Sequence, residues 1–116
     1  MKNAILDKSF AFSLRTVKLC HFINLEKKEY LLSKQLLRSG TSIGANVREA
    51  EHAQSRKDFI SKMSIALKEA NESLYWIELF GAAEILDNHQ KESMWNDCNE
   101  LIALLIAIIK TSKSTS

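Results

Sequence analysis

The sequence predicts an all-α fold, an antiparallel up-down-up-down four-helix bundle that forms one domain over residues 1–116. The chain contains no proline, whereas an average chain of this length has about six, so long helices can run without interruption. Apolar residues recur at steps of three and four along four segments, which is the spacing of amphipathic helices. No segment of useful length alternates like a strand, and short connections between long helices favour antiparallel neighbours.

The first helix is predicted over about residues 6–23. The charged turn at residues 26–28 is expected to end it. Its apolar residues recur at helical spacing, which indicates a helix with one buried face. These residues are Leu6, Phe10, Leu14, Val17 and Cys20.

The second helix is predicted over about residues 29–53 and contains two of the three glycines, Gly40 and Gly44. Glycine inside a helix costs about 1 kcal/mol relative to alanine, and a spacing of four places both glycines on one face. We interpret this face as a seam where a second backbone approaches closely. The predicted seam comprises Ser39, Gly40, Ile43, Gly44 and Val47. The alternative is a break at Gly40, with a new helix capped by Thr41 or Ser42.

The third helix has the clearest start signal, because Ser55 followed by Asp58 resembles a capping pair in which each side chain satisfies a free backbone amide. Its apolar positions continue to Phe80, and Asn88 is a candidate cap for the fourth helix. The two cysteines, Cys20 and Cys98, lack a C-x-x-C pairing, which suggests buried thiols in a reducing cytoplasm.

The fourth helix is apolar on all sides over residues 101–109. A helix in a small monomeric bundle should keep one wet face, so this segment suggests a subunit contact. The predicted oligomer interface contains Trp76, Leu104 and Ile108. The alternative is a helix that the chain termini cover.

Charge is distributed unevenly along the predicted bundle. The chain carries +2 overall, but the end formed by residues 1–14, 41–68 and 101–116 holds nine basic and four acidic residues, a net charge of +5 that leaves −3 for the rest. The third helix opposes its own dipole, with basic residues at its start and acidic residues at its end. The basic end could meet a nucleic-acid backbone or an acidic face of another subunit, or it could simply be solvated.

Catalytic and metal sites find little support in the sequence. The three histidines lie on different segments, and no G-x-S-x-G, H-E-x-x-H or Walker A pattern is present. Glu49 and His52 have the E-x-x-H spacing of di-iron bundles, but a second such pair is lacking. We therefore expect no enzymatic activity, metal or cofactor. No apolar run reaches the length of a membrane span, and the start lacks a signal peptide's apolar core.

The segment from Arg38 to Trp76 carries a family resemblance. Arg38-Ser39-Gly40, Ser42-Ile43, Ala45-Asn46-Val47 and Glu49-Ala50 resemble the signature of the bacterial four-helix-bundle family found as open reading frames in 23S rRNA intervening sequences. The likeness continues through Ser55, Asp58-Phe59, Lys62, the run from Ile65 to Ala70, Glu72 and Tyr75-Trp76, and it covers nearly the whole chain.

The resemblance implies a four-helix bundle that assembles into a ring-shaped homo-oligomer, a pentamer, with no established enzymatic activity. It also implies similarity to the accessory variability proteins of diversity-generating retroelements, which are basic barrels that assist a reverse transcriptase and contact nucleic acid. RNA and a reverse-transcriptase-like protein are therefore the expected partners. The expected RNA-binding residues at the basic end are Lys8, Arg48, Arg56, Lys57 and Lys62. The alternative hypothesis is a protein–protein interaction module that binds no nucleic acid.

Overall fold

The computed structural model describes residues 3–115, which form an elongated bundle of about 47 × 23 × 20 Å. Four helices fill it: α1 (Ala4–Phe22), α2 (Tyr30–Glu51), α3 (Arg56–Ala82) and α4 (Asn88–Ser114). No strand occurs among these residues. The all-α four-helix prediction is therefore confirmed.

Each helix begins at a side chain that accepts a hydrogen bond from a backbone amide that the helix leaves unpaired. The Ser55 hydroxyl accepts from the amide of Asp58 at 3.0 Å, while the Asp58 carboxylate accepts from Gln54. The predicted cap of α4 was wrong by one residue. Asp87 caps α4 in a reciprocal capping box with Gln90, and Asn88 is the first helical residue.

The α1–α2 and α3–α4 connections each contain one non-glycine residue with left-handed backbone. A π-helical turn, Ile23–Lys27, continues α1 and stops at Lys28, whose φ is 53°. The turn after α3 passes through Glu84 with φ 62°. The alternative of a break at Gly40 is excluded, because α2 is continuous through both glycines.

The helices pack in sequence order around a square, and no close backbone contact crosses its diagonals. The α1–α2, α2–α3 and α3–α4 sides are tightly packed, while the α1–α4 side is the most open. One end of the bundle holds the start of α1, the α2–α3 turn and the end of α4; we call it the basic end. The end with the other two turns is the acidic end.

The core contains apolar side chains from all four helices. The face that α1 turns to the core differs from the predicted one. It consists of Ile5, Ser9, Phe12, Thr16 and Cys20. Phe10, Leu14 and Val17 are instead exposed, at 59%, 48% and 48% of their surface. The physical reason is the glycine side of α2, where there is room only for small side chains such as Ser9 and Thr16.

Candidate functional site

The two glycines of α2 lie directly against α1. A Cβ atom added to Gly40 would lie 2.7 Å from Thr16 Cγ2, and one added to Gly44 would lie 3.0 Å from Ser13 Oγ. The Thr16 hydroxyl is held in place because it donates to the Phe12 carbonyl at 2.8 Å. The absence of side chains at these two positions is therefore what allows α1 and α2 to approach so closely.

The other three residues of the predicted seam are buried, and at least one of them faces α3. Ser73 of α3 donates a hydrogen bond to the Ser39 hydroxyl at 2.9 Å. Ile43 and Val47 are fully buried in the core. The segment from Ser39 to Val47 thus packs α2 against its neighbours and the core at once.

The α1–α4 side is closed by charged side chains. The Arg15 guanidinium forms an ion pair with Asp97 and donates to the Ser93 hydroxyl at 2.9 Å. Nearer the basic end, the Lys8 ammonium lies 3.1 Å from the Glu100 carboxylate. These bridges connect two helices whose backbones are farther apart than those of any other neighbouring pair.

The five expected RNA-binding residues are distributed over α1, α2 and α3 at the basic end. Lys8 is paired to α4, and Lys62 lies 3.3 Å from the Glu49 carboxylate across the α2–α3 side. Arg56 donates to Ser112 and Thr115 at the end of α4. Lys57 is exposed at the start of α3. Two of the five cations therefore already neutralise carboxylates of the same chain.

Arg48, the remaining member of this set, lies over the exposed Phe10 ring, with the guanidinium carbon 5.9 Å from the ring centroid. Together they line an open groove of about 450 Å³ between α1 and α2. Small residues, among them Ser13, Thr41 and Gly44, also line the groove. Towards the basic end it becomes acidic, where Asp7 and Glu51 join Arg48.

A second ionic network crosses the α2–α3 side. The Arg38 guanidinium pairs with Glu72 and lies 3.2 Å from Glu69. Glu72 also accepts the Trp76 indole N–H at 3.1 Å. These two donors keep the pKa of the Glu72 carboxyl below its ordinary value. The Asn46 amide, in contrast, donates to the Ser42 carbonyl of its own helix, so Asn46 takes no part in this network.

Three residues were expected at an oligomer interface: Trp76, Leu104 and Ile108. All three are half-buried and pack against the core. More apolar surface is exposed on α1, at Phe10, Leu14 and Val17, than at these positions. Apolar periodicity alone did not reveal this exposed stripe, because the side of α1 that faces the core is selected by the glycine face of α2, which accepts only small neighbours.

Both cysteines are buried thiols, as the sequence suggested. The Cys20 thiol donates to the Ser33 carbonyl at 3.3 Å, and Cys98 donates to Ala70 at 3.2 Å. Burial raises the pKa of Cys20 to about 11. Burial, aided by the nearby Asp97 charge, raises the pKa of Cys98 to about 12. Neither thiol is activated as a nucleophile.

Among residues 3–115, no group of three or more His, Cys, Asp or Glu side chains is placed to hold a metal ion. Glu49 points to Lys62, and His52 is exposed. Within the same residues, no helix is both long and apolar enough to cross a membrane. The arrangement offers ionic and apolar surfaces for binding.

Comparison with known proteins decides the family. The model of the 23S rRNA-intervening sequence protein family matches residues 1–107. The chain belongs to this family. It is also similar to the crystal structure, at 1.70 Å, of a protein of unknown function from the S23 ribosomal protein family of Bacteroides thetaiotaomicron VPI-5482. The two chains are 57% identical, with a TM-score of 0.90 over 91% of this chain and 98% of the other. No curated protein matches the chain significantly.

The family and the similar structure both carry no assigned function, and neither indicates an enzymatic family. The resemblance carried by Arg38 to Trp76 is thereby confirmed for the intervening-sequence family. The relation to diversity-generating retroelements stays a prediction.

Proposed function

We propose that this member of the 23S rRNA-intervening sequence family is a non-enzymatic homo-oligomer that binds structured RNA. Five copies in a ring is the assembly that the family resemblance implies. RNA would contact the basic end through Lys8, Arg48, Arg56, Lys57 and Lys62. The observation that carries the proposal is the separation of charge along the bundle, +5 at one end and −3 over the rest of the chain.

A ring of copies would present more basic side chains to RNA than a single chain can. In a single chain, Lys8 and Lys62 are engaged by Glu100 and Glu49, which leaves few cations for phosphates. Copies arranged with their basic ends on one side would place many such cations around one opening. Electrostatic attraction to a polyanion grows with the number of phosphates that the protein neutralises.

The test is RNA binding across a salt series, measured by fluorescence anisotropy with a structured RNA hairpin as probe. If the protein neutralises four phosphates, raising the salt from 50 to 200 mM should weaken RNA binding roughly 100-fold. Binding that is absent at low salt, or that does not change with salt, contradicts the proposal.

A matched pair of variants locates the surface. Arg56→Glu/Lys57→Glu reverses two charges at the basic end, and Lys27→Glu/Lys28→Glu makes the same charge change at the acidic end. We expect the first to weaken binding by about tenfold or more and the second to have a much smaller effect, because only the first removes phosphate contacts. Equal effects would show that overall charge alone governs binding.

The second candidate function is a protein–protein interaction module without nucleic-acid binding. The internal pairing of Lys8 and Lys62 and the exposed apolar stripe on α1 favour it. A reverse-transcriptase-like protein is the partner that the family resemblance implies. Capture of such a protein by the purified chain, together with no RNA affinity at low salt, supports this alternative over the first.

A further inference from the structure

A cavity of about 310 Å³ opens between α1 and α4, between the Arg15–Asp97 ion pair and the acidic end of the bundle. It lies on the side where the two backbones are farther apart than those of any other neighbouring pair. Ligand pockets in proteins span roughly 300–1,000 Å³. The cavity is therefore large enough for a small molecule, and the proposed function makes no use of it.

Three apolar side chains line this cavity. Leu19 and Phe22 come from the last turn of α1, and Met94 comes from the beginning of α4. Leu19 and Phe22 are half-buried, and Met94 is buried. An apolar group can pack against these three side chains, and an aromatic group would find a partner in the Phe22 ring. The lining therefore suits a ligand with an apolar or aromatic part.

The other residues that line the cavity are hydrogen-bond donors, and two of them are exposed. Lys18 lines it from α1 and forms no ion pair with any of residues 3–115. His89 lines it from the first turn of α4, and its ring carries at least one N–H donor. The Lys18 ammonium thus gives the cavity a positive charge that the described part of the chain does not neutralise.

The capping box of α4 fixes the direction of the Gln90 side chain, which also lines the cavity. The side-chain oxygen of Gln90 accepts the backbone N–H of Asp87 at 3.1 Å. Both N–H bonds of the amide nitrogen are left for other acceptors. No acceptor within residues 3–115 takes either of them, so the Gln90 amide is available to a ligand.

Arg15 orients a further donor, the Ser93 hydroxyl. Its Nη2 atom donates to Ser93 Oγ at 2.9 Å, while Nη1 pairs with Asp97. Because the hydroxyl oxygen accepts from Arg15, its hydrogen points away from the guanidinium. Arg15 therefore holds Ser93 in place, and Asp97 takes the charge of Arg15.

The carboxylates near the cavity are each engaged within the chain. Asp97 is in the ion pair that bounds the cavity, and Glu92 lies 3.4 Å from the Lys91 ammonium. Asp87 accepts the backbone N–H of Gln90 at 2.7 Å. None of these three carboxylates is among the residues that line the cavity. An anion in the cavity would therefore meet donors, although this end of the bundle is acidic as a whole.

We propose that this cavity binds a small phosphate monoester whose organic group is apolar or aromatic. A phosphate monoester carries a charge of about −1.5 to −2 at pH 7 and three strong acceptor oxygens. These oxygens match the donors of Lys18, Gln90 and Ser93, whereas a carboxylate offers only two oxygens. The organic group packs against Phe22 and Met94. The site lies away from the basic end, so it adds a second ligand to the proposed function.

The same phosphate chemistry occurs at the 5′-phosphorylated end of an RNA. The chain outside the basic end carries −3, so every further phosphate of an RNA held at this cavity would be repelled. A free small molecule brings only about two negative charges. The distribution of charge therefore favours a free small molecule over an RNA end.

Phenyl phosphate is the probe for this site, and saturation-transfer NMR measures its binding to the full chain in any state of assembly. We expect transfer to the ring protons, with a Kd on the order of 1 mM. Inorganic phosphate and phenol, which each carry one half of the probe, should compete at least about tenfold less well. No transfer to phenyl phosphate, or equal competition by either half, overturns the inference.

Two variants remove donors and leave the helices intact. Lys18→Gln removes the free positive charge from an exposed position. Gln90→Glu keeps an oxygen that accepts the Asp87 amide, so the capping box survives, but it replaces the amide donor with a carboxylate. Each variant should weaken phenyl phosphate binding about tenfold or more. Circular dichroism and the melting temperature show that each variant is folded.

Lys34→Gln is the matched control, because Lys34 is an exposed lysine on α2 that does not line the cavity. It should leave the Kd of phenyl phosphate unchanged. Equal weakening by Lys34→Gln and Lys18→Gln overturns the inference, since overall charge would then govern binding. Unchanged binding in both Lys18→Gln and Gln90→Glu overturns it as well.

Two RNA hairpins of one sequence, with a 5′-phosphate or a 5′-hydroxyl, distinguish the two sources of the phosphate. We expect neither hairpin to displace phenyl phosphate. Displacement by the 5′-phosphorylated hairpin alone overturns the choice of a free small molecule, and displacement by both shows that RNA covers this side of the bundle. Failure of phenyl phosphate to bind leaves the RNA proposal standing, because this probe does not report on the basic end.

Discussion

Helix α1 contacts its two neighbours, α2 and α4, in opposite ways. Towards α2, Gly40 and Gly44 let the backbones approach until Thr16 and Ser13 fill the gap. Towards α4, the backbones stay apart and Arg15 bridges them through Asp97 and Ser93. A close-packed contact tolerates little added volume, whereas an exposed ionic bridge contributes little and is screened by salt. We therefore expect the α1–α2 side to contribute more to the stability of the bundle than the α1–α4 side.

The largest expected effect concerns the thiol that lies between α1 and α2. With its pKa raised from 9.0 to about 11, Cys20 has about 100-fold less thiolate at pH 8 than an exposed cysteine, before its burial is considered. In a Cys98→Ala background, a thiol reagent should therefore label Cys20 at least about 100-fold more slowly in native protein than in denaturant. Rapid native labelling would show that the α1–α2 side opens readily.

The next effect comes from a single methyl group. Gly40→Ala would place Cβ 2.7 Å from the Thr16 methyl, and we expect a loss of about 1–3 kcal/mol in the free energy of unfolding. Gly81→Ala is the comparison, since its new Cβ would lie 2.6 Å from Cγ of Lys91, a partly exposed side chain that can change rotamer. That change should cost less than Gly40→Ala, because rotation of Lys91 relieves part of the contact and alanine favours the helix by up to about 1 kcal/mol. Urea unfolding measures both.

A double-variant cycle identifies the cause of the Gly40→Ala loss. Adding Thr16→Ala removes both the methyl and the hydroxyl that the new Cβ would meet. The double variant should then be less destabilised than the two single losses predict. Strictly additive losses would mean that the two side chains do not meet.

Substitutions on the α1–α4 side should change the free energy of unfolding less. Arg15→Ala removes the Asp97 pair and the Ser93 hydrogen bonds, and because Arg15 is 40% exposed we expect a loss of only about 1 kcal/mol. The loss should shrink at 1 M salt, where surface charges are screened. A loss larger than that of Gly40→Ala would reverse the ranking of the two sides of α1.

The smallest effect is expected at the Lys8–Glu100 pair, whose side chains are 45% and 54% exposed. Lys8→Ala should change the free energy of unfolding by less than about 0.5 kcal/mol. The same substitution removes one of the proposed RNA contacts, so its effect on RNA affinity at low salt should exceed its effect on stability. If stability falls and RNA affinity does not, Lys8 serves the bundle alone.

The number and order of the helices could be predicted from the sequence because periodicity and the lack of proline are local signals. The core face of α1 could not, since counting apolar residues selects Phe10 and Leu14, whereas the close approach at Gly40 selects Thr16. That choice depends on two helices at once. The cap of α4 was misplaced by one residue because Asp87 and Asn88 are both good caps, and only Asp87 forms a reciprocal pair with Gln90.

The ion pairs between helices could not be predicted from the sequence either. Lys8, an expected RNA contact, lies 3.1 Å from Glu100. Which charges of α1 and α4 meet depends on how the two helices pack, and no local pattern encodes it. The net charge of the basic end, in contrast, follows from the order and direction of the four helices, so it could be counted from the sequence.

Multi-angle light scattering of the wild-type protein at micromolar concentration shows most plainly whether copies of this chain associate, as we propose. We expect a defined mass that is a whole multiple of the 13.2 kDa chain, with five copies as the value the family resemblance implies. A mass of 13.2 kDa at every concentration would show that the chain does not self-associate.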